Sequence, residues 1–210
     1  MVHQVAAWCL DYPDAELVGQ LDLLEAAVTE LPDTDTGALL ARFLDHVART
    51  PLAGLQRHYV EVFDLSRKHA LYLSYWTDGD TRRRGEVLGR FKQRYRSSGW
   101  LVDTRGELTD YLPIVLEYAA LADPADGAAL LQEYRPSLEL LKFSLQEAVT
   151  PYAAPVEAVC ATLAGTSPAD RAAVHRMAAA GPPREEVGLE PYDPRLLPLT
   201  HPSARTGRPR

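Results

Sequence analysis

The sequence predicts an all-α protein, a single-domain helical bundle of about eight to nine helices. Apolar residues recur at spacings of three and four through most of residues 2–179, and no segment sustains the period-two alternation of a strand. Prolines, glycines and Asp- or Thr-rich turns separate these segments. With 210 residues, of which 46% are apolar and 24% charged, the chain has room for one domain with a substantial core.

Four helices are predicted in the first part of the chain. Asp11-Tyr12-Pro13 ends the first helix, and Asp14 caps a second whose leucines continue to Leu31. Pro51 begins the fourth, since proline is accepted in a first helical turn. The predicted spans are residues 2–10, 14–31, 38–48 and 51–62.

The middle of the chain is less regular. Residues 70–76 are too apolar on all sides to face water and form either a buried helical turn or a strand, of which we favour the helical turn. Asp80 or Thr81 caps the next helix, which Gly99 ends, and residues 100–107 form a loop.

The last predicted helices follow this loop. Thr109 or Asp110 caps a helix that carries Pro113 in its first turn. We expect Pro136 to kink or break the long helical face at residues 130–145. Two further helices are predicted at residues 152–163 and 169–179.

The composition changes at residue 181. Seven of the sixteen prolines lie in the last 30 residues, beside five arginines. Such a segment buries too little apolar surface to offset the entropy lost on ordering. We therefore predict a helical domain at residues 1–180 and a flexible, Pro/Arg-rich tail at residues 181–210.

Charge and cysteine content exclude several classes of protein. A net charge of −7 disfavours binding to nucleic acid. No apolar run is long enough to cross a bilayer, and the amino terminus lacks a secretory-signal pattern, so we expect a cytoplasmic protein without direct membrane insertion. Cys9 and Cys160 have no CxxC motif and no histidine at ligand spacing, so neither a metal site nor a disulfide framework is predicted.

Motifs of common enzymes are also missing. We find no phosphate-binding glycine loop, nucleophile elbow, HExxH or EF-hand loop, and we assign no catalytic residue. His58, Asp64 and His69 are close in sequence, and a small helical enzyme that uses them is one alternative. Capping or surface roles are more common for side chains without ligand spacing on one helical face.

One stretch concentrates rings and charges. Residues 59–99 read YVEVFDLSRKHALYLSYWTDGDTRRRGEVLGRFKQRYRSSG. Four of its aromatic residues have the helical spacing that is typical of a core. Three others, within residues 72–76, are too crowded to be all buried. We expect some of these three to line a groove for an apolar peptide helix. The four are Tyr59, Phe63, Phe91 and Tyr95, and the three are Tyr72, Tyr75 and Trp76.

Three arginines, Arg82 to Arg84, open a helix whose first N–H groups already create positive potential. The residues alone leave two interpretations of these arginines open. One is a solvated face in which Arg82 and Arg90 flank Glu86. The other is a fork for carboxylates or backbone carbonyls of a bound peptide, supported by Asp78 and Asp80. A further alternative is a regulatory adaptor that binds nucleic acid through this helix, but the negative net charge of the chain disfavours it.

Taken together, these motifs resemble the NarJ branch of the TorD/DmsD family, the chaperones of molybdenum-containing respiratory enzymes. In that branch a tyrosine helix, an FDL turn, an LYL segment, a GDTRxRG turn and an FKxxY helix follow in the order seen here. Residues 107–117, ELTDYLPIVLE, are similar to the branch's ExPDHLPxxLE segment, with Thr109 in place of the usual proline and Tyr111 in place of the usual histidine. The opening AAWCLDYPDAEL is also similar, so the resemblance covers roughly residues 1–175.

The resemblance implies a non-enzymatic assembly factor with a TorD/DmsD-like fold. Such chaperones bind the amino-terminal tail of the apo catalytic (alpha) subunit of a membrane-bound nitrate reductase. They hold the subunit while bis-molybdopterin guanine dinucleotide is inserted, and delay docking to the membrane partner. We therefore expect this chain to bind that peptide and that apo subunit, with no cofactor of its own, as a monomer or weak dimer. There are two alternatives. One is a chaperone for another molybdoenzyme of the superfamily, and the other is a helical regulatory adaptor.

The peptide groove expected from this resemblance has an aromatic floor and a polar rim. The floor comprises Tyr59, Phe63, Tyr72, Tyr75, Trp76, Phe91 and Tyr95, with Leu112 and Val115 nearby. The rim comprises Asp78, Asp80, Arg82, Arg83, Glu107 and Asp110. Tyr111 remains neutral where the family's histidine titrates, but it can still donate a hydrogen bond.

Overall fold

The computed structural model describes residues 1–32, 34–79 and 82–180. Within these ranges the chain forms twelve α-helices, two π-helical turns and a 3₁₀ turn, and its extended pairing is limited to one antiparallel bridge between Tyr72 and Tyr111. The all-α prediction is therefore confirmed. The predicted flexible tail, residues 181–210, lies outside the described residues.

The helices are numbered in chain order. They are α1 (Val2–Leu10), α2 (Ala15–Gly19), α3 (Leu21–Thr29), α4 (Thr34–Arg49), α5 (Leu52–Tyr59), α6 (Tyr75–Asp78), α7 (Arg82–Ser97), α8 (Leu112–Glu117), α9 (Pro124–Glu133), α10 (Arg135–Glu147), α11 (Ala153–Ala161) and α12 (Arg171–Ala180). Helix α5 continues into the π-helical turn Val60–Asp64, and α8 continues into the π-helical turn Tyr118–Ala122. The 3₁₀ turn is Arg67–His69.

The number of helices exceeds the predicted eight or nine, in part because the predicted second helix is interrupted. Gln20, with φ −94° and ψ 0°, separates α2 from α3 within it. Tyr134, with φ −94° and ψ 16°, separates α9 from α10, so the long helical face is broken near Pro136, as expected. Pro136 lies in the first turn of α10, where no intrahelical N–H bond is lost, so it begins a helix instead of kinking one.

Predicted helix ends have different outcomes. Asp14 caps α2 as expected, because its carboxylate accepts hydrogen bonds of 2.9 Å from the backbone N–H groups of Glu16 and Leu17. The cap predicted at Thr109 or Asp110 is wrong, since α8 begins after Tyr111, without a side-chain cap. The cap predicted at residues 80–81 lies outside the described residues.

Residues 70–72 form an extended segment and residues 73–74 a turn that leads into α6, so the helical turn that we predicted for residues 70–76 is wrong at its beginning. The backbone N–H of Leu73 donates to the carbonyl of Asp110 at 3.0 Å, and the N–H of Leu112 donates to the carbonyl of Leu71 at 2.8 Å. Helix α6 begins only at Tyr75. The backbone pairing places this segment beside the amino-terminal end of α8.

The core lies between α1, α4, α8, α10 and α11. Helix α1 packs against α4, α8 and α11, and α10 packs against α11 and α12. Cys9 and Cys160 are buried in this core as free thiols. No helix in the described ranges is both long enough and apolar enough for a bilayer crossing.

Helix α10 also carries a buried ionic network. The guanidinium of Arg135 lies 3.3 Å from the carboxylate of Glu139, and Lys142 contacts the same carboxylate. Arg135 also donates to the carbonyls of Ala164 and Gly165, in the turn after α11. Buried charges of this kind require such partners, and the network ties α10 to the turn that leads toward α12.

Candidate functional site

A pocket of about 440 Å³ opens where the turn after α1, the end of α5, the extended segment and the residues before α8 meet. Its lining combines aromatic rings with charged groups. The lining residues are Asp11, Tyr12, Tyr59, Phe63, Asp64, Ser66, Arg67, Ala70, Leu71, Tyr72, Tyr75, Arg84, Glu107 and Tyr111. We call this cavity the tyrosine pocket.

The rings on one side of the tyrosine pocket continue into the core. The centroids of Tyr59 and Phe63 are 4.8 Å apart, and Tyr12 packs edge-on against Tyr59 at 5.4 Å. Behind them, the buried ring of Tyr152 lies 5.8 Å from Tyr59 and 4.8 Å from Phe63. Phe63 lies in the π-helical turn after α5, a local geometry that is frequent at functional sites. The pocket wall is thus held by aromatic packing from the interior.

Two phenols are hydrogen-bonded in this wall. The hydroxyls of Tyr59 and Tyr111 lie 2.8 Å apart, and Tyr111 donates to Oδ1 of Asp11 at 3.2 Å. Burial is the main cause that raises the pKa of both phenols, which therefore stay protonated at neutral pH. The charge of this wall is the carboxylate of Asp11, which is paired with the guanidinium of Arg105 at 3.1 Å.

A second tyrosine forms the opposite wall. The hydroxyl of Tyr72 donates to Oε2 of Glu107 at 2.7 Å, and its ring centroid lies 5.6 Å from that of Tyr111. The backbone bridge between Tyr72 and Tyr111 sets this ring pair. Glu107 is thereby oriented at the pocket edge.

Arg84 connects this wall to the interior. Its guanidinium carbon lies 5.5 Å from the ring centroid of Tyr72 and 5.9 Å from that of Tyr75, within the range of cation–π attraction. Its Nη2 lies 3.6 Å from Oδ2 of Asp110, whose side chain is fully buried. The same oxygen accepts hydrogen bonds from the backbone N–H and the hydroxyl of Ser74. Arg84 is therefore held in place by rings on one side and a buried carboxylate on the other.

Six residues of the predicted site are brought together in this pocket. They are Tyr59, Phe63, Tyr72, Tyr75, Glu107 and Tyr111. The apolar bodies and polar edges of these rings suit a ligand that has both an apolar face and hydrogen-bonding groups.

Four predicted floor residues lie in the core and do not line the pocket. They are Phe91, Tyr95, Leu112 and Val115, each no more than 4% exposed. Phe91 packs on Tyr134 at 5.1 Å, and Tyr95 packs on Tyr118 at 4.8 Å. Helical spacing indicated an inner face correctly, but the inner face of α7 meets the core and not the pocket.

Four further predicted residues are described and do not line the pocket. Trp76 is half-buried, and its Nε1–H donates to the carbonyl of Ala70 at 2.9 Å, which closes the turn around α6. Asp110 lies behind the pocket as the partner of Arg84. Asp78 accepts a hydrogen bond from Thr77, and Arg83 is exposed. Asp80 and the side chain of Arg82 lie outside the described residues.

Sequence reasoning missed several lining residues. Asp11 and Tyr12 were interpreted only as the end of α1, and Arg84 only as one of three arginines. The missed members are Asp11, Tyr12, Asp64, Ser66, Arg67, Ala70, Leu71 and Arg84. A half-exposed tyrosine in a turn before proline was the available signal for Tyr12, since a ring with a polar edge is favoured at binding surfaces.

The enzymatic alternative is not supported by the geometry. His58 Nε2 lies 3.2 Å from the hydroxyl of Thr150, and the Nδ1–H of His69 donates to the carbonyl of Val62 at 2.8 Å. Of the predicted trio, only Asp64 lines the pocket. Throughout the described residues, no three His, Cys, Asp or Glu side chains are grouped as metal ligands.

Comparison with known proteins identifies relatives over most of the helical region. The nitrate reductase delta subunit family profile matches residues 29–158. The nitrate reductase-like protein NarX of Mycobacterium tuberculosis is 42% identical over 163 residues, which are 77% of this chain and 24% of NarX. This chain therefore spans about a quarter of the length of NarX.

Two shorter relatives carry a functional name. The probable nitrate reductase molybdenum cofactor assembly chaperone NarJ of Bacillus subtilis is 32% identical over 154 residues, 73% of this chain and 83% of that protein. The nitrate reductase molybdenum cofactor assembly chaperone NarJ of Escherichia coli is 35% identical over 147 residues, 69% of this chain and 61% of that protein. Both names describe chaperones and not catalysts, in agreement with the prediction of a non-enzyme. Because the profile covers more than half of the sequence, the chain belongs to the nitrate reductase delta subunit family, which confirms the resemblance to NarJ-type chaperones.

Proposed function

We propose that this chain is a cytoplasmic assembly chaperone for a respiratory nitrate reductase. It binds the amino-terminal tail of the apo catalytic subunit in the tyrosine pocket and holds the subunit while the molybdenum cofactor is inserted. The membrane partner of the enzyme docks afterwards. The names of the NarJ relatives support the chaperone role, and the tyrosine pocket is the observation that supports peptide binding.

The size and lining of the pocket suit a short amphipathic helix. Pockets of roughly 300–1,000 Å³ are typical of specific binding sites, and this one has about 440 Å³. Tyrosine rings supply rigid contact area at low entropic cost, because only two side-chain torsions are fixed. Burial of an apolar anchor against such rings contributes about 25 cal/mol per Å² of apolar surface.

The charged groups can orient the bound peptide. Asp11, Asp64 and Glu107 place carboxylates around the opening, which suits the α-ammonium group and basic side chains near a protein's amino terminus. Arg67 and Arg84 supply donors for backbone carbonyls or carboxylates of the ligand. A peptide of mixed charge with one apolar face is thus the ligand class that complements the lining.

Isothermal titration calorimetry with a synthetic peptide tests the proposal. The peptide is the first ~15 residues of the catalytic subunit of the same organism's nitrate reductase, about 22 Å long as a helix. We expect saturable binding that Tyr75→Ala weakens by about 1–3 kcal/mol, as for a ring at an interface. Leu121→Ala, at a surface position outside the pocket lining, is the matched control and should leave the affinity unchanged.

Two results would contradict the proposal. The first is no heat and no chemical-shift change at millimolar peptide. The second is an affinity that Tyr75→Ala and Leu121→Ala change equally, since the pocket would then not be the binding site. Binding of a tail from another molybdoenzyme of the superfamily, in preference to the nitrate reductase tail, would keep the chaperone role and change the partner.

A further inference from the structure

Gly89 occupies an exposed position in the middle of α7 for which the described part of the chain offers no structural reason. A Cβ built at this position would have no atom within 4 Å, and the backbone is not in the left-handed region that favours glycine. Glycine weakens a helix relative to alanine because it loses more backbone entropy on folding. A residue without a side chain also lets another molecule approach the helix backbone closely.

The space above Gly89 is a second cavity. It has about 580 Å³ and lies between α7 and residues 100–109. Its apolar wall includes Trp100, Leu101 and Leu108, whose exposed fractions are 60%, 97% and 42%. Three large apolar side chains exposed side by side are typical of an interaction surface, because monomeric proteins rarely expose large contiguous apolar patches.

The charges at this cavity indicate the kind of partner. Lys92 and Arg96 lie one turn apart on α7, both line the cavity, and neither forms an ion pair within the described ranges. Helix α7 contains seven basic residues and one acidic residue, Glu86, whereas the whole chain has a net charge of −7. An acidic partner would therefore be attracted to this helix in particular.

The second cavity and the tyrosine pocket share one lining residue. Glu107 lines both cavities, and its carboxylate is fixed from one side by the hydroxyl of Tyr72. A chain that leaves the tyrosine pocket past Glu107 therefore meets the lining of the second cavity. This shared residue favours one ligand for both cavities.

We propose that the second cavity binds an acidic, amphipathic helical segment of the same polypeptide whose tail occupies the tyrosine pocket. The segment's backbone approaches α7 at Gly89, its apolar side chains contact Trp100 and Leu101, and its carboxylates pair with Lys92 and Arg96. The proposal rests on the proposed function, because the tail brings the segment to this surface. A lipid surface fits less well, because this site is a concave cavity whereas a bilayer presents a broad surface.

The experiment compares two peptides of the same catalytic subunit, its first ~15 and its first ~40 residues, the longer adding up to about 37 Å of helix. We expect the longer peptide to bind the wild-type chain at least tenfold more tightly. Gly89→Leu fills the second cavity and should remove that gain while leaving the affinity for the shorter peptide unchanged. Gly19→Leu, at another exposed helical glycine with no atom within 4 Å of its Cβ, is the matched control and should preserve the gain.

A charge variant tests the partner's chemistry independently of packing. Replacing Lys92 and Arg96 together by glutamate should weaken the longer peptide at least tenfold at low salt and reduce the salt dependence of its binding. Arg57→Glu, an exposed charge reversal outside both cavities, should have no such effect. Unfolding curves of all variants confirm that each is folded before binding is compared.

The outcomes separate the two proposals. If the shorter peptide fails to bind, the proposed function falls. If the shorter peptide binds but the longer one binds no more tightly, or if Gly89→Leu leaves its gain intact, the second-cavity inference is overturned while the proposed function stands. Binding to phosphatidylglycerol vesicles that Trp100→Ala abolishes, without any effect of Trp100→Ala on the longer peptide, would assign the surface to lipid and also overturn the inference.

Discussion

The hydroxyl of Tyr59, at the end of α5, lies 2.8 Å from the hydroxyl of Tyr111, the residue that precedes α8. Because Tyr111 also donates to Asp11, this contact joins the turn after α1, the end of α5 and the beginning of α8 at one point of the tyrosine pocket. Tyr111 stands where the resemblance places a histidine. The phenol takes part in a structural hydrogen-bond chain without acquiring a charge near neutral pH.

We predict that Tyr111→Phe lowers the free energy of unfolding by about 1 kcal/mol, because both hydrogen bonds of its hydroxyl are lost while the ring remains. Tyr59 can still donate to the carbonyl of Leu10, which lies 3.4 Å away, so the loss should stay modest. Urea denaturation measures the change. Tyr12→Phe, a half-exposed tyrosine of the same pocket, is the control and should change the stability by less than ~0.5 kcal/mol. Equal effects of the two variants would contradict a structural role for the Tyr59–Tyr111 contact.

Arg84 and Asp110 should be energetically coupled. Asp110 is fully buried, so Arg84→Met leaves a buried carboxylate without its cation and should destabilise the fold by about 3 kcal/mol. Asp110→Asn removes that charge, and the double variant should therefore be more stable than the sum of the two single losses predicts. A double-mutant cycle by urea denaturation gives the coupling energy. Additive effects within ~0.3 kcal/mol would show that the 3.6 Å contact contributes nothing measurable.

The fold class and most helix positions followed from local patterns, whereas the extended segment at residues 70–72 did not. Its apolar residues fit a buried helical turn as well as a strand, and short apolar runs do not distinguish the two. The choice is made by hydrogen bonds of Leu71 and Leu73 to residues about 40 positions away, Asp110 and Leu112. Pairing partners at that distance are not visible in the local sequence.

The site could be predicted only in part, because it too depends on contacts between segments that are distant in sequence. Periodicity identifies which residues of α7 share a face but not which neighbour that face meets, so Phe91 and Tyr95 were assigned to the groove although they pack on Tyr134 and Tyr118. Arg84 was grouped with two other arginines, and its contact with Tyr72 arises only when the extended segment lies beside it. Tyr59 and Phe63, by contrast, line the pocket through their own local segment.

This distinction between core and pocket can be measured. Phe91→Ala should lower the free energy of unfolding by about 3–5 kcal/mol, because it leaves a cavity in a fully buried position. Tyr75→Ala, at a half-buried position of the pocket, should change stability far less and instead weaken the ~15-residue tail peptide, as argued above. Urea denaturation and calorimetry on the same preparations test both variants. A folded Phe91→Ala protein that loses peptide affinity without losing stability would return Phe91 to the binding surface.

The stability of the fold should depend on pH through His46. Burial lowers the pKa of His46, the charge of His58 lowers it further, and Asp45 partly opposes both effects. The rings of His46 and His58 lie 6.0 Å apart, and the buried Nε2 of His46 has no hydrogen-bond partner among the described residues. A pKa below the unfolded value of 6.5 means that the fold favours neutral imidazole.

The contribution of His46 is therefore complete above about pH 6.5 and is lost as the pH falls through that value toward the lowered pKa. We predict that the free energy of unfolding decreases between pH 7.5 and 5.5, and that His46→Gln makes this decrease shallower. Burial also lowers the pKa of His3, so some dependence should remain in the variant. His175→Gln, at an exposed position, should leave the dependence as in the wild type. An unchanged slope in His46→Gln would exclude this histidine as its source.

Gly127 and Gly89 should respond in opposite directions to the same substitution. At Gly127, in α9, an added Cβ would lie 2.3 Å from the Cα of Ala119 in the π-helical turn after α8, a backbone atom that cannot move without separating the two elements. Gly127→Ala should therefore lower the free energy of unfolding by about 2 kcal/mol, even though alanine favours the helix. Gly89→Ala meets no atom within 4 Å and should raise it by about 0.5–1 kcal/mol. Urea denaturation of the two variants and the wild type measures the change in the free energy of unfolding and its direction. A loss of stability in Gly89→Ala would mean that the fold itself requires glycine at this position.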